Sequence, residues 1–250
     1  MTPSQRPAGT RTKVAARSPA PTWNRPIPIL ALDFPRADLA LAMVERLGDA
    51  CTFYKVGGEL FTAAGPQVVQ TLRALGKDVF LDLKLHDIPN TVRGAARSAA
   101  SIGARLLTVH ATGGREMIEA AVEGAGPKCG VLGVTILTSL DAAMLRTAWG
   151  RKSLEVYGEV LRLAGECATA GAHGVVCSGL EAHKIGAKYG DKLKLLVPGI
   201  RPAGGRTDDQ KRTVTAAEAA KAGANYIVLG RMITEAKDPP SELRSVMATL

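Results

Sequence analysis

The chain has 250 residues, 46% of them hydrophobic, and a formal net charge of +9. That length suits one large domain or two small ones with an ample core. No apolar run approaches the roughly 18 residues of a membrane span, and no secretory signal is visible at the amino terminus.

The charge is unevenly placed. Arg6, Arg11, Lys13, Arg17 and Arg25 all precede the first acidic residue, Asp33. The rest of the excess is scattered with no basic stripe, and aromatic residues are only 4% of the chain. A nucleic-acid surface with stacking platforms is therefore not expected. Residues 1–25 are rich in Pro, Ser, Thr, Ala and Arg and lack periodicity, so a disordered basic tail is expected there. An Arg-rich, acid-free start also suits an organellar transit peptide, but no amphipathic apolar face accompanies it.

Beyond the tail, short apolar runs alternate with Ala-rich helical stretches. In chain order, a strand over Ile29–Phe34 precedes a helix over Ala37–Leu47, and a strand over Phe53–Val56 precedes a helix over Gln67–Leu75. A strand over Val79–Lys84 leads to a helix over Thr91–Ser101. A strand over Leu106–His110 leads to a helix over Arg115–Glu123. The fifth strand, Val131–Leu137, is followed by a short lid or interface helix within Ser139–Gly150 and a longer helix over Ser153–Ala170. Strands over Val175–Ser178 and Leu195–Val197, a helix over Ala216–Ala222 and a strand over Tyr226–Leu229 complete the pattern. Gly103, Gly171 and Gly223 punctuate three helix-to-strand junctions, as left-handed caps do. Eight strands alternating with helices imply parallel βαβ units. Residues 26–250 thus read as one (β/α)8 TIM barrel of the α/β class. The rival is a doubly wound open sheet, but its GxGxxG fingerprint after the first strand is absent.

Cys51, Cys129, Cys167 and Cys177 match no zinc, haem or CxxC spacing, so reduced core cysteines in a cytoplasmic protein are expected. The four histidines show no HExxH or HxxxH pattern, and no protein-only metal site is expected. His86 reads as structural; His110, ending strand four, is a secondary candidate for the site.

Polar residues gather where the strands end, which in barrels of this kind is the active-site face. The run Phe80-Leu-Asp-Leu-Lys-Leu-His-Asp87 is the most telling. Alternation places Phe80, Asp82 and Lys84 on one face and Leu81, Leu83 and Leu85 on the other. An apolar residue would fill a barrel layer at lower desolvation cost than an ion pair, so Asp82 and Lys84 read as a charged site at the barrel mouth.

This stretch, Asp82-Leu-Lys84-Leu-His-Asp87-Ile-Pro-Asn-Thr91, resembles the signature of the orotidine 5′-phosphate decarboxylase family. The resemblance extends in order through Asp33, Lys55, Thr135-Ile-Leu-Thr138, Pro198-Gly-Ile-Arg201, Gln210 and Leu229-Gly230-Arg231, over residues 27 to 236. It implies decarboxylation of orotidine 5′-phosphate to uridine 5′-phosphate in pyrimidine biosynthesis, without a cofactor. Lys84 is then the proton donor, Asp82 its neighbour beside the substrate carboxylate, and Asp87 a residue that enters the partner subunit's site. Thr91 reaches the same neighbouring ligand. Asp33 and Lys55 take the ribose, Thr138 contacts the nucleotide, and Arg201, Gln210, Gly230 and Arg231 host the phosphate. The resemblance also implies a homodimer with shared active sites and no membrane or nucleic-acid partner. Glycine and proline mark Gly199–Arg212 as a mobile loop able to close over phosphate.

Two alternatives differ in class. A sister barrel sharing the DxKxxD core would act on a sugar phosphate with magnesium, using an acidic ligand on strand two; Lys55 stands there, although Glu59 is near. A non-catalytic nucleotide-phosphate binder would not require the Asp82, Lys84 and Asp87 array.

Overall fold

The computed structural model describes residues 25–202 and 212–250. The expected basic tail, except Arg25, and Gln210 lie outside the described residues. Strand β1 (Ile27–Ala31) is followed by α1 (Ala37–Leu47), β2 (Phe53–Gly57), α2 (Gly58–Ala64) and α3 (Gln67–Ala74). Then come β3 (Asp78–Leu85), α4 (Pro89–Ser101), β4 (Leu106–His110), α5 (Arg115–Ala125) and β5 (Gly130–Val134). Two helices, α6 (Ala142–Trp149) and α7 (Val156–Thr169), separate β5 from β6 (Gly174–Val176). The chain continues through α8 (Gly179–Tyr189), β7 (Lys194–Val197), α9 (Ala216–Lys221), β8 (Tyr226–Leu229), α10 (Arg231–Thr234) and α11 (Pro239–Ala248).

The strands pair in sequence order, all parallel, and β8 closes on β1 with Ile27 opposite Tyr226. A closed parallel barrel has no open edge and needs apolar residues on both faces of every strand. The strands supply them by alternation. Phe53, Phe80, Leu106, Leu132, Leu196 and Tyr226 fill the barrel interior. Their neighbours Tyr54, Leu81, Leu107, Val131, Leu195 and Ile227 face the helical shell. The interior filling stops short of the carboxyl ends of the strands, and polar side chains take over there.

Several elements differ from the sequence expectation at their ends. β1 stops at Ala31, β5 at Val134 and β6 at Val176, although apolar residues continue beyond each. Leu32, Ile136 and Cys177 are buried all the same; the N–H groups of Leu32 and Cys177 still donate to the Lys55 and Leu196 carbonyls of the neighbouring strands, at 2.9 and 3.1 Å, so backbone bonding outlasts the regular ladder. Ser178 does not end a strand but caps α8, its hydroxyl accepting from the Leu180 N–H at 3.1 Å. α7 begins at Val156, after Glu155 caps it by accepting from the N–H groups of Tyr157 and Gly158. The double proline at 239–240 opens α11 from its first turn, where a missing N–H costs nothing.

Candidate active site

β3 bears the central feature. Between Leu81 and Leu85 it places three residues, Asp82, Leu83 and Lys84, against the single Thr108 of β4, since Leu81 faces Leu107 and Leu85 faces Val109. Lys84 sits in this bulge with φ of 49°, and among the described residues it is the one non-glycine with positive φ. A left-handed backbone at a lysine costs on the order of 1–3 kcal/mol and persists only where surroundings enforce it. The bulge re-aims the side chain, a recurrent use of bulges at strand ends. Lys84 Nζ reaches Asp82 Oδ2 at 2.8 Å. Asp82 is largely enclosed, whereas the Lys84 side chain is 37% exposed and opens on the barrel mouth.

Asp82 and Lys84 line a cavity of about 560 Å³ at the carboxyl ends of the strands. Asp33 and Lys55 share its wall, joined by a 2.6 Å ion pair from Lys55 Nζ to Asp33 Oδ1. Lys55 is buried in mid-β2, while Asp33 stands two residues past β1 in a loop. Gly57 makes room for that pair: a methyl group there would lie 2.9 Å from Lys55 Nζ and 3.2 Å from Asp33 Oδ1.

The far wall is formed by Thr138, Arg201, Gly230 and Arg231. Thr138 is buried in the loop four residues beyond β5. Arg201 follows β7, and its Nη1 donates to the Ile200 carbonyl at 3.0 Å. Gly230 immediately follows β8, and Arg231 is the first residue of α10. The cavity therefore has an ion-pair wall and an arginine wall. The arginine wall suits an anionic group of a ligand, while the ion-pair wall carries as many carboxylates as ammonium groups.

Asp87 and Thr91 are not in this cavity. Both are exposed, and the Asp87 carboxylate accepts from the Ile88 N–H at 2.7 Å. Ile88 beside them is 67% exposed. Glu59 lies exposed on α2 and does not line the cavity. His86 and His110 stack at a tilt, ring centres 5.4 Å apart. Burial, followed by the nearby His86 and Lys84, holds the His110 imidazole below its ordinary pKa. Among the described residues no group of three or more His, Cys, Asp or Glu is disposed to hold a metal.

Three further features bear on the mouth. Thr108 on β4 is fully buried beneath the ion pair. The signal for it was present in the sequence, as a polar residue at inward parity between Leu106 and His110. Gly57 ends a strand, a position where a backbone or side chain approaches closely. Arg212 pairs with the buried Glu181 of α8 and donates at 3.1 Å to the carbonyls of both Ile136 and Leu137. It thereby ties the segment after β7 to the loop that carries Thr138. Nothing local in the sequence marks that long-range contact.

Comparisons with known proteins agree on one family. The family model described as orotidine 5′-phosphate decarboxylase / HUMPS family matches residues 26–246. A protein of Anaeromyxobacter sp. (strain K) named orotidine 5′-phosphate decarboxylase is 51% identical over 220 residues, covering 88% of this chain and 96% of its own. One of the same name from Cutibacterium acnes is 47% identical over 222 residues, covering 88% and 94%. The crystal structure of orotidine 5′-phosphate decarboxylase from Lactobacillus acidophilus superposes with a TM-score of 0.80 at 38% identity, covering 90% of this chain and 99% of that one.

Proposed function

The chain belongs to the orotidine 5′-phosphate decarboxylase / HUMPS family, and from that premise we propose that it converts orotidine 5′-phosphate to uridine 5′-phosphate and carbon dioxide in pyrimidine biosynthesis. The observation that carries this reading is the Asp82–Lys84 ion pair opening on a cavity whose opposite wall holds Arg201 and Arg231.

The chemistry is demanding. When the bond from C6 to the carboxylate breaks, the electron pair stays on C6 in the plane of the ring, where the π system cannot absorb it. The enzyme must stabilise that charge electrostatically and deliver a proton. Lys84 supplies both. Its ammonium, about 4 Å from the developing charge, is worth roughly 4 kcal/mol at an effective dielectric near 20. It then transfers a proton to C6, and solvent reprotonates the amine. Carbon dioxide leaves neutral, so the net reaction consumes one proton. Lysine suits this role better than arginine, because a guanidinium does not release its proton. Asp82 holds the ammonium aimed, and stands beside the departing carboxylate.

Asp33 and Lys55 take the ribose hydroxyls, Thr138 contacts the nucleotide, and Arg201, Gln210, Gly230 and Arg231 receive the phosphate. Binding energy from the phosphate, remote from C6, then serves to hold the ring in place for the reaction. No cofactor is required in this scheme, and Lys55 on β2 would repel a divalent cation placed there.

Asp87 and Thr91 lie outside the cavity of their own chain, which supports a homodimer in which they complete the partner subunit's site. The exposed Ile88 between them suits burial at such an interface. Mixed dimers of Asp87→Ala and Lys84→Ala subunits should regain part of the parent activity through one intact composite site. No recovery in verified heterodimers would count against sharing. Four free, buried cysteines suit a reducing, cytoplasmic setting. Among the described residues no helix is long and apolar enough to cross a membrane.

The test of the reading is an ultraviolet assay of orotidine 5′-phosphate with the purified chain and a chelator present. Loss of substrate absorbance with stoichiometric uridine 5′-phosphate is expected. Unchanged substrate, or turnover that appears only when magnesium is added back, would overturn it.

A further inference from the structure

Thr108 is enclosed completely, yet it is polar and sits at an inward position of β4. Its hydroxyl makes two contacts. It accepts from the backbone N–H of Lys84 at 2.9 Å and donates to Asp82 Oδ1 at 2.8 Å. The direction of each bond is fixed by chemistry. A backbone N–H can only donate, and a carboxylate can only accept, so the single hydroxyl proton belongs to Asp82. The other oxygen of Asp82, Oδ2, receives the Lys84 ammonium. Both oxygens of the carboxylate are thereby oriented.

The Lys84 contact lies inside the bulge, where the ladder between β3 and β4 is interrupted. The Thr108 side chain takes the place of a strand carbonyl as the acceptor for that N–H. One hydroxyl thus secures the carboxylate that aims the ammonium and the left-handed backbone from which the ammonium hangs. A valine of similar shape would fill the space but provide neither contact, leaving a buried N–H without its acceptor.

We propose that Thr108 is a positioning residue for decarboxylation, holding Lys84 in its strained, site-facing conformation through Asp82 and through the main chain. This inference rests on the functional reading above. A displacement on the order of 1 Å at a reacting group costs about 100-fold in rate, and Thr108 does not line the substrate cavity. The loss on removing its hydroxyl should therefore fall on the chemical step and spare binding.

The experiment compares the parent chain with Thr108→Val, Thr108→Ala and Thr108→Ser. It reads the single-turnover rate on orotidine 5′-phosphate, KM, affinity for uridine 5′-phosphate by calorimetry, and the thermal midpoint. Val and Ala should lower the single-turnover rate about 100-fold, with KM and product affinity within about threefold. Ser, which keeps the hydroxyl, should recover most of the rate. If Val does not yield folded protein, the contrast between Ala and Ser carries the same information. A hydroxyl-free variant that turns over within about threefold of the parent would overturn the proposal. So would a loss shared by rate, KM, product affinity and thermal midpoint that Ser does not recover. An inactive parent overturns the functional reading and this inference with it; an active parent with unimpaired variants overturns the inference alone.

Discussion

The two ends of β3 carry the same kinds of charge and put them to different uses. At the floor of the barrel Asp78, its first residue, accepts from Arg73 Nη1 at 2.5 Å and from Arg105. Arg105 also lies over the Phe53 ring, 5.4 Å from its centre. Phe53 in turn meets Tyr226 edge-on, and Tyr226 meets the ring nitrogen of His173 at 3.2 Å. Each polar group there is engaged by another, and the apolar layer through Phe80 separates the set from the cavity. Four residues along the strand, Asp82 has one lysine and one threonine as partners. The lysine belongs to a bulge and opens on the cavity. A carboxylate closed by two arginines fastens the strands; one that leaves its cation half open can act on a ligand.

Substitutions at the two ends sharpen that contrast, and the largest effect belongs to the mouth. Lys84→Ala should lower turnover by at least about 1,000-fold while the chain still folds. Its counterpart Asp78→Asn should cost about 1 kcal/mol of stability, as partly exposed ion pairs do, and leave turnover within about twofold. Urea unfolding and steady-state assays on both variants check the pair; equal losses of turnover would erase the distinction. On the far wall, Arg231→Ala should weaken uridine 5′-phosphate binding about 10- to 100-fold through loss of a charge-assisted contact. Binding of uridine, which lacks the phosphate, should scarcely change, and calorimetry with both ligands reads the difference. Similar losses for the two would contradict the phosphate assignment.

The smallest effect should be the same at both ends. His110 at the mouth and His173 at the floor each have a lowered pKa, in both cases chiefly through burial. Lys194 and Arg105 add to the effect at His173, and His86 and Lys84 at His110, where Asp82 opposes it. Because the folded chain binds these protons less readily than the unfolded one, stability falls as pH drops below the ordinary histidine value of 6.5. The fall ends once pH passes below the depressed folded values. His110→Gln and His173→Gln should each shrink the stability lost between about pH 7 and pH 5. Unfolding curves at the two pH values measure this, and a steeper loss in either variant would contradict it.

The same contrast explains what the sequence could disclose. The order of eight strands was legible because alternation and βα punctuation are local; Leu106–His110 and Tyr226–Leu229 begin and end where the pattern places them. Strand ends such as those of β1, β5 and β6 were not, because Leu32, Ile136 and Cys177 remain apolar and buried past the last regular strand residue. α8 carries a weak signal, opening on Gly179 and containing Gly186, and α11 hides behind two prolines that read as breakers. At the mouth, charges at inward positions stand out because few structural reasons place them there. Thr108 did not stand out, since a lone threonine is an ordinary strand residue. The left-handed backbone at Lys84 leaves no mark in Leu-Lys-Leu. It arises from contacts to another strand that are fixed only when the barrel closes.

Proton delivery by Lys84 is read out by the single-turnover rate of Lys84→Arg on orotidine 5′-phosphate, measured beside Lys84→Ala. Arginine keeps the positive charge but does not give up its proton. A loss nearly as deep as with alanine is expected. Turnover within about tenfold of the parent would show that charge alone suffices and that the proton at C6 comes from elsewhere.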